Sequence, residues 1–148
     1  MRDIKFRAWD SRNKQLVYSG KEDAFYINTK GVLFMYAIPK SESGAIGFTE
    51  YHKSYVVDRF TGLQDSKGSD IYENDVLQSY HFTDSKGKDN YINHIVKWSD
   101  RFNGWFALNA ESMSEDDGSI QLFTYKRANK CSMRVIGNIY ENPELLGE

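Results

Sequence analysis

A chain of 148 residues with a formal charge of -2 is long enough for one domain, or for a compact domain with a smaller lobe, and needs no covalent staple. Its single cysteine, Cys131, excludes an intrachain disulfide, and its longest apolar run, residues 32–38, falls far short of the ~18 to 20 residues of a membrane-spanning helix, so a cytoplasmic protein without a membrane partner is expected. The small net charge gives no global attraction to nucleic acid, and a load of Tyr and Phe with two prolines suits pleated sheet better than helix.

The chain opens with alternation, Ile4, Phe6 and Ala8 on one side and Lys5, Arg7 and Trp9 on the other, the period of a half-buried strand. Asp10 to Asn13 turns it, and Gln15 to Tyr18 returns antiparallel, because so short a connection cannot make a parallel crossover. A second hairpin follows, Ala24 to Ile27 and Val32 to Ile38, ended by Pro39. Residues 40–50 show no clean period and read as a loop, dividing an N-terminal β lobe of two hairpins, residues 1–54, from a C-terminal small β-barrel lobe, residues 55–148.

Tyr55 to Phe60 resumes strand character, followed by Ile71 to Phe82 and by Tyr91 to Trp98, on which Ile92, His94, Val96 and Trp98 share a face. Trp105 to Leu108 is the next strand, Asn109 to Gly118 a solvated acidic loop, and Ile120 to Tyr125 a further strand. Met133 to Tyr140 is the last, before Asn142, Pro143 and Glu144, which read as an N-cap, a first-turn proline and a dipole-favoured acid opening a short helical turn.

One turn device recurs. Asp65-Ser-Lys-Gly68, Asp84-Ser-Lys-Gly87 and Asn28-Thr-Lys-Gly31 share a pattern, and Asp10-Ser-Arg-Asn13 approximates it. The first residue can accept hydrogen bonds from the backbone just ahead, and Gly or Asn at the fourth tolerates the left-handed conformation of a type I turn with a bulge. Such turns between alternating segments, with no long amphipathic helix, predict a mainly β fold, an antiparallel meander closed or half-closed to hide its edges.

Chemistry is sparse. His52, His81 and His94 are isolated from Cys131 and from each other, so no metal-ligand spacing exists; His94 reads as a satisfied interior or interface histidine and Cys131 as a small buried hydrophobe. Asp65, Asp70 and Asp75 lack the order of a calcium loop, with Lys67 where an oxygen ligand belongs, and Glu73 with Asp75 is an unspecific carboxylate pair. We expect no cofactor, no metal and no catalytic site. A binding surface is better supported: Phe123 and Tyr125 precede Lys126, Arg127, Lys130 and Arg134, and Lys5 and Arg7 flank Trp9, the mixture of cations and aromatics that single-stranded nucleic acid needs. Ile71-Tyr-Glu-Asn74 recurs as Ile139-Tyr-Glu-Asn142, which we read as strand-to-turn corners at opposite edges of the barrel; Tyr72 and Glu73 are the binding candidates there.

Three blocks, Ile4-Lys-Phe-Arg-Ala-Trp-Asp10, the stretch from Thr61 to Val76, and Val135-Ile-Gly-Asn-Ile-Tyr-Glu-Asn-Pro-Glu-Leu-Leu146, resemble in order and spacing the YopX family, encoded mainly by bacteriophages and prophages. The departure is Asn74, where the family pattern usually has Gly; Asn is the next best residue for a positive φ. The resemblance implies a β-rich protein with a small, partly open barrel of the Src-homology 3 kind in the C-terminal part, assembling as a homo-oligomer, and implies no established activity. The expectation is therefore a non-enzymatic accessory protein that self-associates and binds a host or phage macromolecule, with a small-barrel nucleic-acid binder as the alternative.

Overall fold

The computed structural model describes residues 3–19, 25–28, 33–37, 47–50, 55–116, 120–122 and 133–147. The fold is mainly β, every strand pairing is antiparallel, and, apart from Leu122, the described helix is a single 3-10 turn. The chain divides into two units, Lys5–Arg59 and Phe60–Glu148 with Met1–Ile4.

In the first unit β1 (Phe6–Asp10) pairs with β2 (Gln15–Tyr18) on one side and with the start of β6 (Tyr55–Gln64) on the other. Flanked on both edges, β1 is buried on both faces from Arg7 to Asp10 rather than on one as the alternation predicts, and Ile4 lies outside the strand, 83% exposed. Arg7 therefore does not join a cationic surface: its Nε donates to Asp58 Oδ2 at 3.0 Å, and both side chains are buried. Ala8 packs with Phe25 and Leu33 as this unit's core. β3 (Phe25–Ile27), β4 (Leu33–Ala37) and β5 (Gly47–Glu50) form a second sheet. β5 corrects the loop expected over 40–50, because Gly47 to Glu50 take their backbone partners from β4, a pairing that side-chain periodicity does not encode. The turn expected over Asn28 to Gly31 and the stop at Pro39 lie outside the described residues.

In the second unit the end of β6 pairs with β7 (Asp70–Tyr72) through a bulge marked by Gly62 at φ 80°. The five-stranded sheet that follows runs β11 (Ile120–Gln121), β10 (Gly104–Asn109), β9 (Asp89–Ser99), β8 (Asp75–Thr83), β12 (Arg134–Asn138). The expected small, partly open barrel is present as a curled half-barrel. Ile71, Leu77, Val96, Trp105, Ala107, Leu122 and Met133 fill its interior. Of the strand expected over Ile120 to Tyr125, Ile120 and Gln121 form β11 and Leu122 is already helical; Phe123, Tyr125 and Cys131 lie outside the described residues, as does His52.

The turn device forms as expected at two sites. Asp65 Oδ1 accepts the N–H of Lys67 and of Ser69, both at 2.8 Å, Asp84 Oδ1 accepts those of Lys86 and Lys88 at 2.8 and 2.9 Å, and Gly68 and Gly87 take φ 87° and 80°. At Asp10 the cap also forms, but the positive φ falls on Lys14, at 54°, one residue later than Asn13. The 3-10 turn η1 (Pro143–Leu146) starts where expected; Asn142, however, makes no side-chain capping bond to the backbone and donates instead to Glu144 Oε1 at 3.3 Å.

Candidate functional site

Past the core, β8 and β9 continue as a two-stranded ribbon. Burial along β8 falls from Asp75, Val76 and Leu77 to exposure from Tyr80 to Thr83, where, among the described residues, β12 pairs with β8 no further than Gln78 and β10 pairs with β9 no further than His94. Tyr80 lies opposite Tyr91, their rings edge to face at 6.1 Å. A bulge then places Phe82 opposite Asn90, so Phe82 projects from the other face, with His81 in the bulge 5.0 Å from its ring. Tyr80, Phe82 and Tyr91 are 49%, 48% and 48% exposed, so both faces of the ribbon carry half-open aromatic rings. Lys86 and Lys88 stand exposed at its tip, in the turn that Asp84 caps.

β12 adds a cation. Arg134 donates to Gln78 Oε1 at 2.8 Å, and its guanidinium lies 6.0 Å from the Tyr91 ring centroid. At the base of the ribbon, where β10 stops, is a cleft of about 360 Å³ lined by Tyr91, Asn93, Glu111, Glu144 and Leu145 among others. Its floor is tied by Ala110 N–H to Asn93 O at 2.9 Å and by Asn93 Nδ2 to the Leu145 carbonyl at 3.0 Å.

The remaining polar groups with displaced titration are structural. Burial alone would raise the Asp65 carboxyl, but the amides of Ser69, Val135 and Lys67 and then the Lys67 charge hold it below the ordinary value. Burial likewise works against Asp10, where the Tyr55 hydroxyl at 2.8 Å and Asn13 and Arg12 outweigh it. His94 is interior as expected, and burial pushes its pKa down, but it is only half satisfied: its Nε2 meets Ser79 Oγ at 2.9 Å, while Nδ1 is buried without a partner among the described residues. Among those residues no group of three His, Cys, Asp or Glu side chains converges as a metal site.

Of the sequence-predicted binding residues, Arg134 joins the ribbon. Tyr72 is 7% exposed, its ring 5.5 Å from Phe60 and its N–H donated to Asp75 Oδ2 at 2.7 Å, and Glu73 is half-buried in the same corner. Phe123, Tyr125, Lys126, Arg127 and Lys130 lie outside the described residues. The two repeated corners are not at opposite edges. Asn74 O accepts Ile139 N–H at 3.0 Å, and Asn74 Nδ2 donates to Tyr140 Oη at 2.8 Å, which makes them neighbours across β8 and β12. Sequence reading missed Tyr80, Phe82 and Tyr91, because aromatics in an alternating segment read alike on a core strand and on an exposed one.

A curled antiparallel half-barrel that extends into an exposed aromatic ribbon defines a small all-β protein. The chain belongs to the YopX family, whose model, described as YopX protein, matches residues 5–147. Two solved structures share the fold: protein YopX from Bacillus subtilis, at TM-score 0.60 and 18% identity over 98% of each chain, and protein EF1440 from Enterococcus faecalis, at TM-score 0.55 and 21% identity over 99% of each chain. No curated protein matches the chain.

Proposed function

We propose that this chain is a non-enzymatic phage or prophage accessory protein of the host cytoplasm that self-associates and binds a macromolecular partner through the β8–β9 ribbon. One observation carries the reading: three large aromatic side chains stand about half exposed on both faces of a two-stranded ribbon that no other described strand flanks. Such a ribbon is marginal alone in water, and apolar surface on both of its faces is stabilised when a partner covers it. Tyr and Phe are also residue types that dominate interface energetics.

Light scattering across a concentration series tests the self-association. The parent should exceed monomer mass, and Tyr80→Ser with Phe82→Ser should reduce it while the circular dichroism of the fold is kept. A parent that is monomeric at every concentration and captures nothing from infected cells would refute the proposal.

A second reading, nucleic-acid binding, is favoured by Arg134 beside the Tyr91 ring and by Lys86 and Lys88 at the tip. It requires retention of single- or double-stranded nucleic acid that weakens steeply with salt. No retention at low ionic strength would exclude it.

A further inference from the structure

One edge of the ribbon is open along its backbone. Ala110 N–H donates to Asn93 O, so the backbone groups of Asn93 point away from β8, and by alternation those of Tyr91 and Asp89 do the same. Among the described residues no strand pairs with β9 before His94, which leaves the N–H and C=O of Tyr91 and Asp89 without a partner on that side. The edge runs into the cleft, whose wall includes Tyr91, Ile92 and Asn93 themselves. Charge separates the two ends of this groove. At the tip Lys86 and Lys88 are balanced by Asp84 and Asp89, whereas the cleft is lined by Glu111 and Glu144, both exposed, and by no described Lys or Arg. Glu144 Oε1 accepts the Asn142 amide at 3.3 Å, a neutral donor, and neither carboxylate joins an ion pair among the described residues. Arg134 approaches the Tyr91 ring from the other side, across Gln78 of β8.

We propose that the β9 edge is a docking site for an extended peptide segment of a partner protein, added as a strand antiparallel to β9 with basic residues at its N-terminal end seated in the cleft. This rests on the reading of the ribbon as a binding element and names the chemistry of its partner. Tyr91 and Asp89 can each exchange two hydrogen bonds with the residue opposite, the mode in which a strand is added to a sheet edge. The segment cannot continue along β9 past Tyr91, because Ala110 already holds the Asn93 carbonyl, so its next residues lie over the cleft. Those are its N-terminal residues, since β9 runs from the tip towards the base. Side chains two apart share a face. An apolar residue opposite Tyr91 covers the half-exposed ring, and the residue two before it projects towards Glu144, because Asn93, on the Tyr91 face, bonds the Leu145 carbonyl in the same turn. The preferred order is therefore a basic residue, any residue, then an aromatic or β-branched one. The phosphates of nucleic acid carry the same sign as the cleft and are disfavoured at this edge, and the balanced tip of a second copy offers it no opposite charge.

The test titrates the full-length chain into two C-terminally labelled hexapeptides and reads fluorescence anisotropy. One peptide has two N-terminal lysines followed by threonine, valine, threonine and valine; the other has glutamates in place of the lysines. The lysine peptide should bind saturably and about tenfold more tightly than the glutamate one. Glu111→Gln with Glu144→Gln should weaken it about threefold to tenfold, the range for two exposed charge pairs. N-methylation of both valines, whose amides face Tyr91 and Asp89, should lower affinity about tenfold or more, whereas N-methylation of both threonines, whose amides point away, should be tolerated. Equal affinity for the two peptides, or indifference to where the methyl groups sit, overturns the docking site. If the lysine peptide does not bind, retention of an oligothymidylate that Tyr91→Ser abolishes gives the edge to nucleic acid, and a dimer dissociated by Glu111→Gln with Glu144→Gln gives it to a second copy; either result overturns the proposal. Should the peptide fail while Tyr80→Ser with Phe82→Ser still abolishes capture of a partner from infected cells, the ribbon reading stands and this edge is not its site. Absence of that capture as well overturns both.

Discussion

Asp65 and Asp84 stand at the head of the same tetrapeptide, Asp-Ser-Lys-Gly, and each caps its turn with one carboxylate oxygen. They differ in what the second oxygen does. Asp65 Oδ2 accepts Val135 N–H at 3.0 Å, and Ser66 N–H donates to Met133 O at 3.1 Å, so this turn also anchors the start of β12. The nearly identical local sequence makes Asp84 an internal control. Asp84→Ala should cost about 1 kcal/mol, the usual value of a lost local cap, and Asp65→Ala about 2–3 kcal/mol, because a long-range charged acceptor goes as well. Urea denaturation midpoints measure the difference, and equal losses would show that the β12 anchor contributes nothing. The cap was legible in the sequence because it spans four residues. The anchor joins residues seventy apart, and no local pattern marks it.

At the scale of elements, β12 and η1 are locked by close approach. Gly137 lies in the bulge where β12 shifts register against β8, and a methyl group there would collide with the Asn142 side chain and come within 3.0 Å of Leu145 Cδ1. Asn138 holds the same corner, its Oδ1 accepting Tyr140 and Glu141 N–H, both at 3.0 Å. Gly137→Ala should therefore destabilise by about 1–3 kcal/mol, the usual cost of overpacking. Adding Asn142→Gly should recover part of it in thermal melts, whereas no recovery would place the strain elsewhere. The neighbouring corner shows how an element-level reading fails. Ile71-Tyr-Glu-Asn74 and Ile139-Tyr-Glu-Asn142 were legible as corners, and Asn74 at φ 66° is the positive-φ residue expected. That Asn74 is also 7% exposed and bonded to Tyr140, Ile139 and Lys97 follows only from β8 pairing with β12 on one side and with β9 on the other.

Across the whole molecule, pH acts on stability in two windows. The folded state holds His94 below its ordinary pKa, so the unfolded chain takes up the proton first, and the contribution of neutral His94 is present above about pH 6.5 and lost as pH falls below it. Asp10 and Asp65 are also held low, so their contribution is present above about pH 4 and is lost as pH falls further through their folded values. Stability should decline gently from pH 7 to 5 and steeply below 4. His94→Gln should flatten the first decline and leave the second, as read by urea midpoints at stepped pH; a parental slope in the variant would assign the first window to another group.

The chain's own residues determined the turns, most of the strands and the mainly β class, because a capping carboxylate, a glycine with positive φ and a two-residue period act within a few residues of one another. Tertiary structure alone decided which strands are buried on both faces, as at β1 with its Arg7–Asp58 pair, and that β5 forms at all. It also decided where β8 and β9 outrun their neighbours. Tyr80, Phe82 and Tyr91 resemble any alternating aromatics of a core strand until the ends of β10 and β12 are known. Exposure depends on what the rest of the chain leaves uncovered, and that is a property of the assembled sheet rather than of the segment.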